Sequence, residues 1–175
     1  RAIWALGYLI RYAPNDTLFQ SAHERFHTMI GSIEKLEYAR GYANSMFGVF
    51  HYIRRFPDQE RFLALINQIA DLLVLRYEQH KRAHWHWFED ALTYDNGLIP
   101  AALYLAYSVT GNPKYLAVAE KSRLFLESKC FREDWLSLIG NKRWLRFDSD
   151  YELFAQQPID AMAMMFLYKS AHLAT

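Results

Sequence analysis

The stretch YARGYANSMFGVFHYIRRFPDQERFLALINQIADLLVL, Tyr38 to Leu75, decides the fold. Its first half, Tyr38 to Phe56, is built from Ala, Gly and aromatic residues, with its charges near the two ends at Arg40, Arg54 and Arg55. Pro57 ends that run, because proline cannot continue a helix as a donor. Asp58 is placed to cap a second run, in which Phe62, Leu65, Ile69, Leu72 and Leu75 recur at helical spacing between polar residues. Two helices joined by so short a link are antiparallel neighbours. The first is apolar nearly all round and the second on one side only. That is the difference between a helix surrounded by protein and one with a wet face.

The same pairing extends in both directions. Ala2 to Tyr12 is a first run, ended by Pro14. Asn15 or Asp16 caps a second, with Leu18, Ala22, Phe26, Met29, Ile33 and Leu36 on one stripe. Ile99 to Val109 is a fifth, closed by Thr110-Gly111-Asn112, and Pro113 suits the first turn of a sixth through Leu116, Ala119, Leu124 and Leu126. A seventh runs from Pro158 to about Leu173. Odd-numbered helices are poor in charge and even-numbered ones carry a polar face. The pattern predicts an all-α single domain over 1–175, an (α/α) toroid with inner and outer helices and an incomplete ring of about seven. Because Arg1 already lies inside a helical pattern and no initiator Met precedes it, the chain is expected to be the C-terminal portion of a longer one.

Two stretches break the helical reading: His84 to Asn96, and Phe131 to Gln157. Within the second, Leu136 to Ile139, Gly140-Asn141 and Lys142 to Phe147 are expected to form a short β-hairpin. Both stretches lead into inner helices, so they are expected on one rim, where a cleft would form.

Composition narrows the function classes. Aromatic residues make up 17% of the chain, enough for a large core, a stacking cleft or both. A net charge of +1 gives no electrostatic case for nucleic acid or an anionic membrane. No apolar run reaches the roughly 18 residues of a membrane span, and no signal peptide is evident. Cys130, alone in the sequence, excludes an internal disulfide. A soluble, cytoplasmic protein without cofactor is expected.

The stretch WHWFEDALTYDNGLIPAAL, Trp85 to Leu103, together with Gln156-Gln157-Pro158-Ile159-Asp160-Ala161, resembles segments of six-hairpin (α/α) glycosidase-like proteins. Such proteins are often encoded beside, or described as, bacterial glycosyltransferases. The resemblance covers most of the chain and implies a carbohydrate ligand and a glycosyltransferase partner. The family pattern has Glu where this chain has Asp160. The same toroid serves hydrolases, lyases and epimerases, so the fold does not choose the chemistry.

Glycoside hydrolysis needs two carboxyl groups about the scissile bond, one a proton donor and the other a base or nucleophile. The rim stretches offer Glu89, Asp90 and Asp95, then Asp148, Asp150, Glu152 and Asp160. Asp95 with Asp160 is the preferred pair, since each begins an inner helix, where the resemblance places the aspartates of uronyl hydrolases. Glu89, flanked by Trp87 and Phe88, is the better proton donor if those rings bury it. Helix capping and the helix dipole account for either aspartate without chemistry. Trp85, Trp87, Tyr94 and Trp144 are candidate sugar-stacking rings, and Asn96, Gln156 and Gln157 candidate hydroxyl partners. Core packing is the competing account of each Trp.

One further motif points elsewhere. His23-Glu24-Arg25-Phe26-His27 is a literal H-E-x-x-H on a helix, the spacing with which zinc peptidases hold their metal. At about 100° per residue, both histidines fall roughly 80–120° from the apolar stripe, on its flank or wet side. The downstream third ligand of such peptidases is missing. Two solvated helix histidines and no metal are therefore expected. His84 and His86 read as rim residues, or as acid/base groups if the protein is an epimerase. The leading expectation is a glycoside hydrolase-like protein. A non-catalytic sugar-binding or scaffold domain and a zinc peptidase are the alternatives.

Overall fold

The computed structural model describes residues 1–133, 135–150 and 153–175. Among them are seven α-helices: α1 (Ala2–Tyr12), α2 (Asp16–Ile30), α3 (Ala39–Arg55), α4 (Glu60–His80), α5 (Leu98–Thr110), α6 (Pro113–Cys130) and α7 (Pro158–Ala174). A 3₁₀ turn, Gly31–Lys35, follows α2. Local chemistry sets several ends. The Asn15 side chain accepts from the Leu18 amide at 3.0 Å, and Asn112 accepts from Lys114 at 3.1 Å ahead of Pro113. Asp58 does not cap α4; Gln59 takes that position without a side-chain cap. Among the described residues, no helix is long and apolar enough to cross a membrane.

Burial follows the sequence pattern. On α2 only Ala22, Phe26 and Ile30 are buried, one stripe at i, i+4, i+8. On α3 every residue from Tyr42 to Phe50 is buried, and on α5 every residue from Leu98 to Ala106. These two helices are the centre of the core. Helix α3 packs between α1 and α5, and α5 packs between α3 and α7, while α2, α4 and α6 pack behind them. The odd-numbered helices thus form one layer of consecutive neighbours and the even-numbered ones a second.

The odd-numbered helices approach closely. A Cβ at Gly48 would collide with the Ile3 carbonyl, and one at Gly7 with the Gly48 carbonyl, so α1 and α3 touch through backbone. Gly97 makes the equivalent contact with the Ala163 carbonyl, at the start of α5 against α7.

The expected 136–147 hairpin does not form. Four two-residue strands, β1 (Ala91–Leu92), β2 (Phe131–Arg132), β3 (Trp135–Leu136) and β4 (Leu145–Arg146), pair antiparallel as β2 with β3 and β1 with β4. The reason lies in Ser137, Leu138 and Ile139. All three are buried in succession, and a half-exposed strand would turn alternate residues to water. The β1–β4 ladder joins the two non-helical stretches to each other.

Candidate functional site

The N-terminal ends of α3, α5 and α7 gather at one rim, and charged side chains tie them together. Arg40, in the first turn of α3, is half-buried and fans its guanidinium over three acceptors. These are Glu89 Oε2 at 2.6 Å, Asn96 Oδ1 at 3.1 Å and the Tyr94 carbonyl. Its guanidinium carbon also lies 4.9 Å from the centre of the Tyr94 ring. Asn96 closes its own turn through the Thr93 amide and carbonyl, both at 3.1 Å. Arg1 donates to Asp95 Oδ2 at 2.8 Å.

Asp95 and Asp160 are brought together, as the sequence predicted, but not across an open cleft. Asp95 is 1% exposed and Asp160 5%. Asp160, in the first turn of α7, accepts the backbone N–H of Asp95, whose φ of 57° is a left-handed conformation uncommon outside glycine. Asp160 is therefore a clamp on a strained turn. The cavity beside it, shared with Asn96, Cys130, Leu138 and Met164, has a volume of only about 10 Å³. Burial pushes the Asp160 carboxyl up to about 6; the Asp95 charge adds to the rise, and the amides of Asp95 and Asn96 and the Arg40 charge oppose it. Burial also raises Asp95, against its hydrogen bond from Arg1 and the charges of Arg1 and Arg40. Asp95 Oδ1 is buried and has no hydrogen-bond partner among the described residues.

The aromatic candidates separate into two groups. Trp85 and Trp87 are core residues, packed against Phe125, and Trp87 is fully buried. Trp85 donates its indole N–H to the Glu89 carbonyl at 2.7 Å. Neither ring has a face free to stack on a sugar, because their stretch folds inward over α6. Tyr94 and Trp144 lie tilted to each other with ring centres 6.5 Å apart and keep exposed surface, while the Trp144 indole nitrogen is buried and has no partner among the described residues. Glu89 keeps 22% of its side chain exposed, more than either aspartate. Gln156 lies exposed and donates to the Leu153 carbonyl, a local bond; Gln157 is half-buried and immediately precedes α7. Asp90 pairs with His80 and Arg82 on the surface, Asp148 and Asp150 are exposed, and Glu152 lies outside the described residues.

At the opposite end of the same helices lies a larger cavity, about 360 Å³ in volume, that no sequence motif announces. Arg11, Arg54, Lys169 and His51 supply its polar lining, and Phe47, Phe50 and Phe166 its walls. Burial, and then the charges of Arg11 and Lys169, hold His51 down at about 4, so it is neutral near pH 7. Among the described residues that line this cavity there is no carboxylate. The lining comes from four helices, α1, α3, α5 and α7, and only their packing brings it together.

The histidine motif sits elsewhere, on α2. Its Glu24 side chain is exposed, about 100° round the helix from His23. Among the described residues, no group of three or more His, Cys, Asp or Glu side chains is arranged to hold a metal ion.

No protein-family model, curated protein or solved structure matches the chain.

Proposed function

We propose that the chain is a carbohydrate-binding part of an (α/α) toroid, with its sugar site at the rim where α3, α5 and α7 begin. The layering of odd- and even-numbered helices supports a segment of such a ring. The observation that carries the binding reading is the Arg40 cluster beside the Tyr94–Trp144 pair. There, two partly exposed aromatic rings stand next to a fixed carboxylate and a fixed amide. Apolar ring faces with a few aimed polar groups are what a sugar requires.

In this reading Glu89 bonds sugar hydroxyls, Tyr94 and Trp144 cover a ring face, and Arg40 holds Glu89 and Asn96 in place. Asp95 and Asp160 support the turn that presents them. Isothermal titration with cellobiose, mannobiose and lactose is the test. At least one is expected to bind saturably, and Tyr94→Ala or Trp144→Ala to weaken it tenfold or more, about 1.4 kcal/mol. Absence of saturable binding, or equal binding by both variants, sinks the proposal.

A hydrolytic reading draws on one observation, the Asp160 carboxyl raised to about 6, in the range of a general acid. It requires substrate to reach a group that is 5% exposed. Release of reducing sugar by the wild type and its loss in Asp160→Asn would favour that reading over simple binding.

A further inference from the structure

The H-E-x-x-H stretch forms a site that the helix alone does not disclose, because the third participant comes from α3. His23 Nε2 and His27 Nε2 are 3.2 Å apart, and the Tyr52 hydroxyl lies 3.1 Å from the second and 3.4 Å from the first. The three atoms form a closed triangle. Hydrogen bonds cannot satisfy all three edges. A neutral imidazole Nε2 either carries a proton or offers its single lone pair, never both. With one Nε2 donating and the other accepting, the hydroxyl can complete only one good bond to each. The remaining edge then makes one proton or one lone pair serve twice.

A single cation removes that conflict, because each of the three atoms can offer it a lone pair. With bonds of about 2.0–2.1 Å, tetrahedral ligands stand about 3.3 Å from one another, the size of this triangle. Imidazole nitrogen suits a divalent transition metal, and the Tyr52 hydroxyl completes the triangle as an oxygen donor. We infer that His23, His27 and Tyr52 form a binding site for a divalent transition-metal ion, with zinc as the representative, that fastens α2 to α3.

The surroundings fix these side chains in place. Tyr52 stacks on Phe26 with ring centres 5.0 Å apart, His23 packs on Phe19 at 5.6 Å, and His27 meets Phe62 edge-on at 5.7 Å. His27 is exposed, which leaves an entry path. The nearby Arg61 charge opposes a cation at this place. The site is not a peptidase centre. Glu24, the general base in that chemistry, is exposed on α2, about 100° round the helix from His23.

The test is titration of the metal-free chain with Zn²⁺, followed by competition, and with Co²⁺, followed by visible absorption. One equivalent of Zn²⁺ is expected, with affinity at least tenfold lower in His23→Ala and in His27→Gln. Co²⁺ is expected to give the intense bands of a four-coordinate ion, altered in Tyr52→Phe. Zn²⁺ should raise the melting temperature of the wild type and leave that of the histidine double variant unchanged. Far-UV circular dichroism shows that the variants keep their helices. Failure of the wild type to bind, or equal binding by the folded double variant, overturns the inference. The sugar titrations are independent of both outcomes.

Discussion

Replacing Asp160 by asparagine tests whether the buried clamp costs the fold free energy at neutral pH. Asp160 is 5% exposed, and its carboxyl rises from 3.8 to about 6 in the folded chain. Burial is the main cause, and the two backbone amides, with the Arg40 charge, recover only part of the loss. At about 1.4 kcal/mol per pH unit, the rise corresponds to about 3 kcal/mol. The folded state holds the proton more tightly than the unfolded state does. Between about pH 4 and pH 6 the native protein therefore binds more protons, and stability falls as pH rises. The contribution is fully present below pH 3.8 and gone above about 6. The asparagine side chain is neutral throughout, and its amide oxygen can still accept from the Asp95 backbone. Urea unfolding midpoints at pH 4, 5, 6 and 7 measure the effect. The wild type should lose about 2.5 kcal/mol more than Asp160→Asn across that range. Asp95, also raised, adds a decline of the same sign to both proteins. Parallel stability curves would refute the assignment of Asp160 as a buried, charge-penalised clamp.

Two further outcomes follow from the packing. Gly97→Ala drives a methyl group into the Ala163 carbonyl and should cost about 1–3 kcal/mol in thermal or urea unfolding. Gly31→Ala, which meets nothing within 4 Å, should leave the midpoint nearly unchanged and serves as the control. The Cys130 thiol, buried and pushed up to about 12 from 9.0, should react with a disulfide reagent at pH 8 about a thousandfold more slowly than in the urea-unfolded chain. Native labelling within tenfold of the unfolded rate would contradict that burial.

The helices are legible in the sequence because their signals are local. Pro14, Pro57, Gly111 and Pro113 mark boundaries that stand within a few residues of the observed ones. The contrast between Tyr38–Phe56 and the run after Pro57 anticipates which helix is central. The rim is legible only in part. Asp95 and Asp160 do meet, yet whether a carboxylate faces water or a backbone amide depends on residues 65 positions away. Trp85 and Trp144 are equally aromatic in sequence, and only the fold buries the first and leaves the second part-exposed beside Tyr94. The missing hairpin has the same origin. Leu145–Arg146 finds its partner in Ala91–Leu92, on the other rim stretch, and no local turn signal could name it. The flank position of His23 and His27 on the helix wheel describes α2 fairly, but it contains no information about Tyr52.

The ladder between β1 and β4 bears on binding thermodynamics. It holds Leu145, next to Trp144, opposite Leu92, two residues before Tyr94. The two rings therefore belong to segments already hydrogen-bonded together in the free protein. Under the proposed sugar-binding reading, a ligand at these rings would find the shelf assembled, so most of the entropy of ordering two loops would be lost during folding and not during association. A site so built would gain affinity through preorganisation. A substitution that loosens the ladder, far from any hydroxyl contact, should weaken binding without removing a single ligand contact.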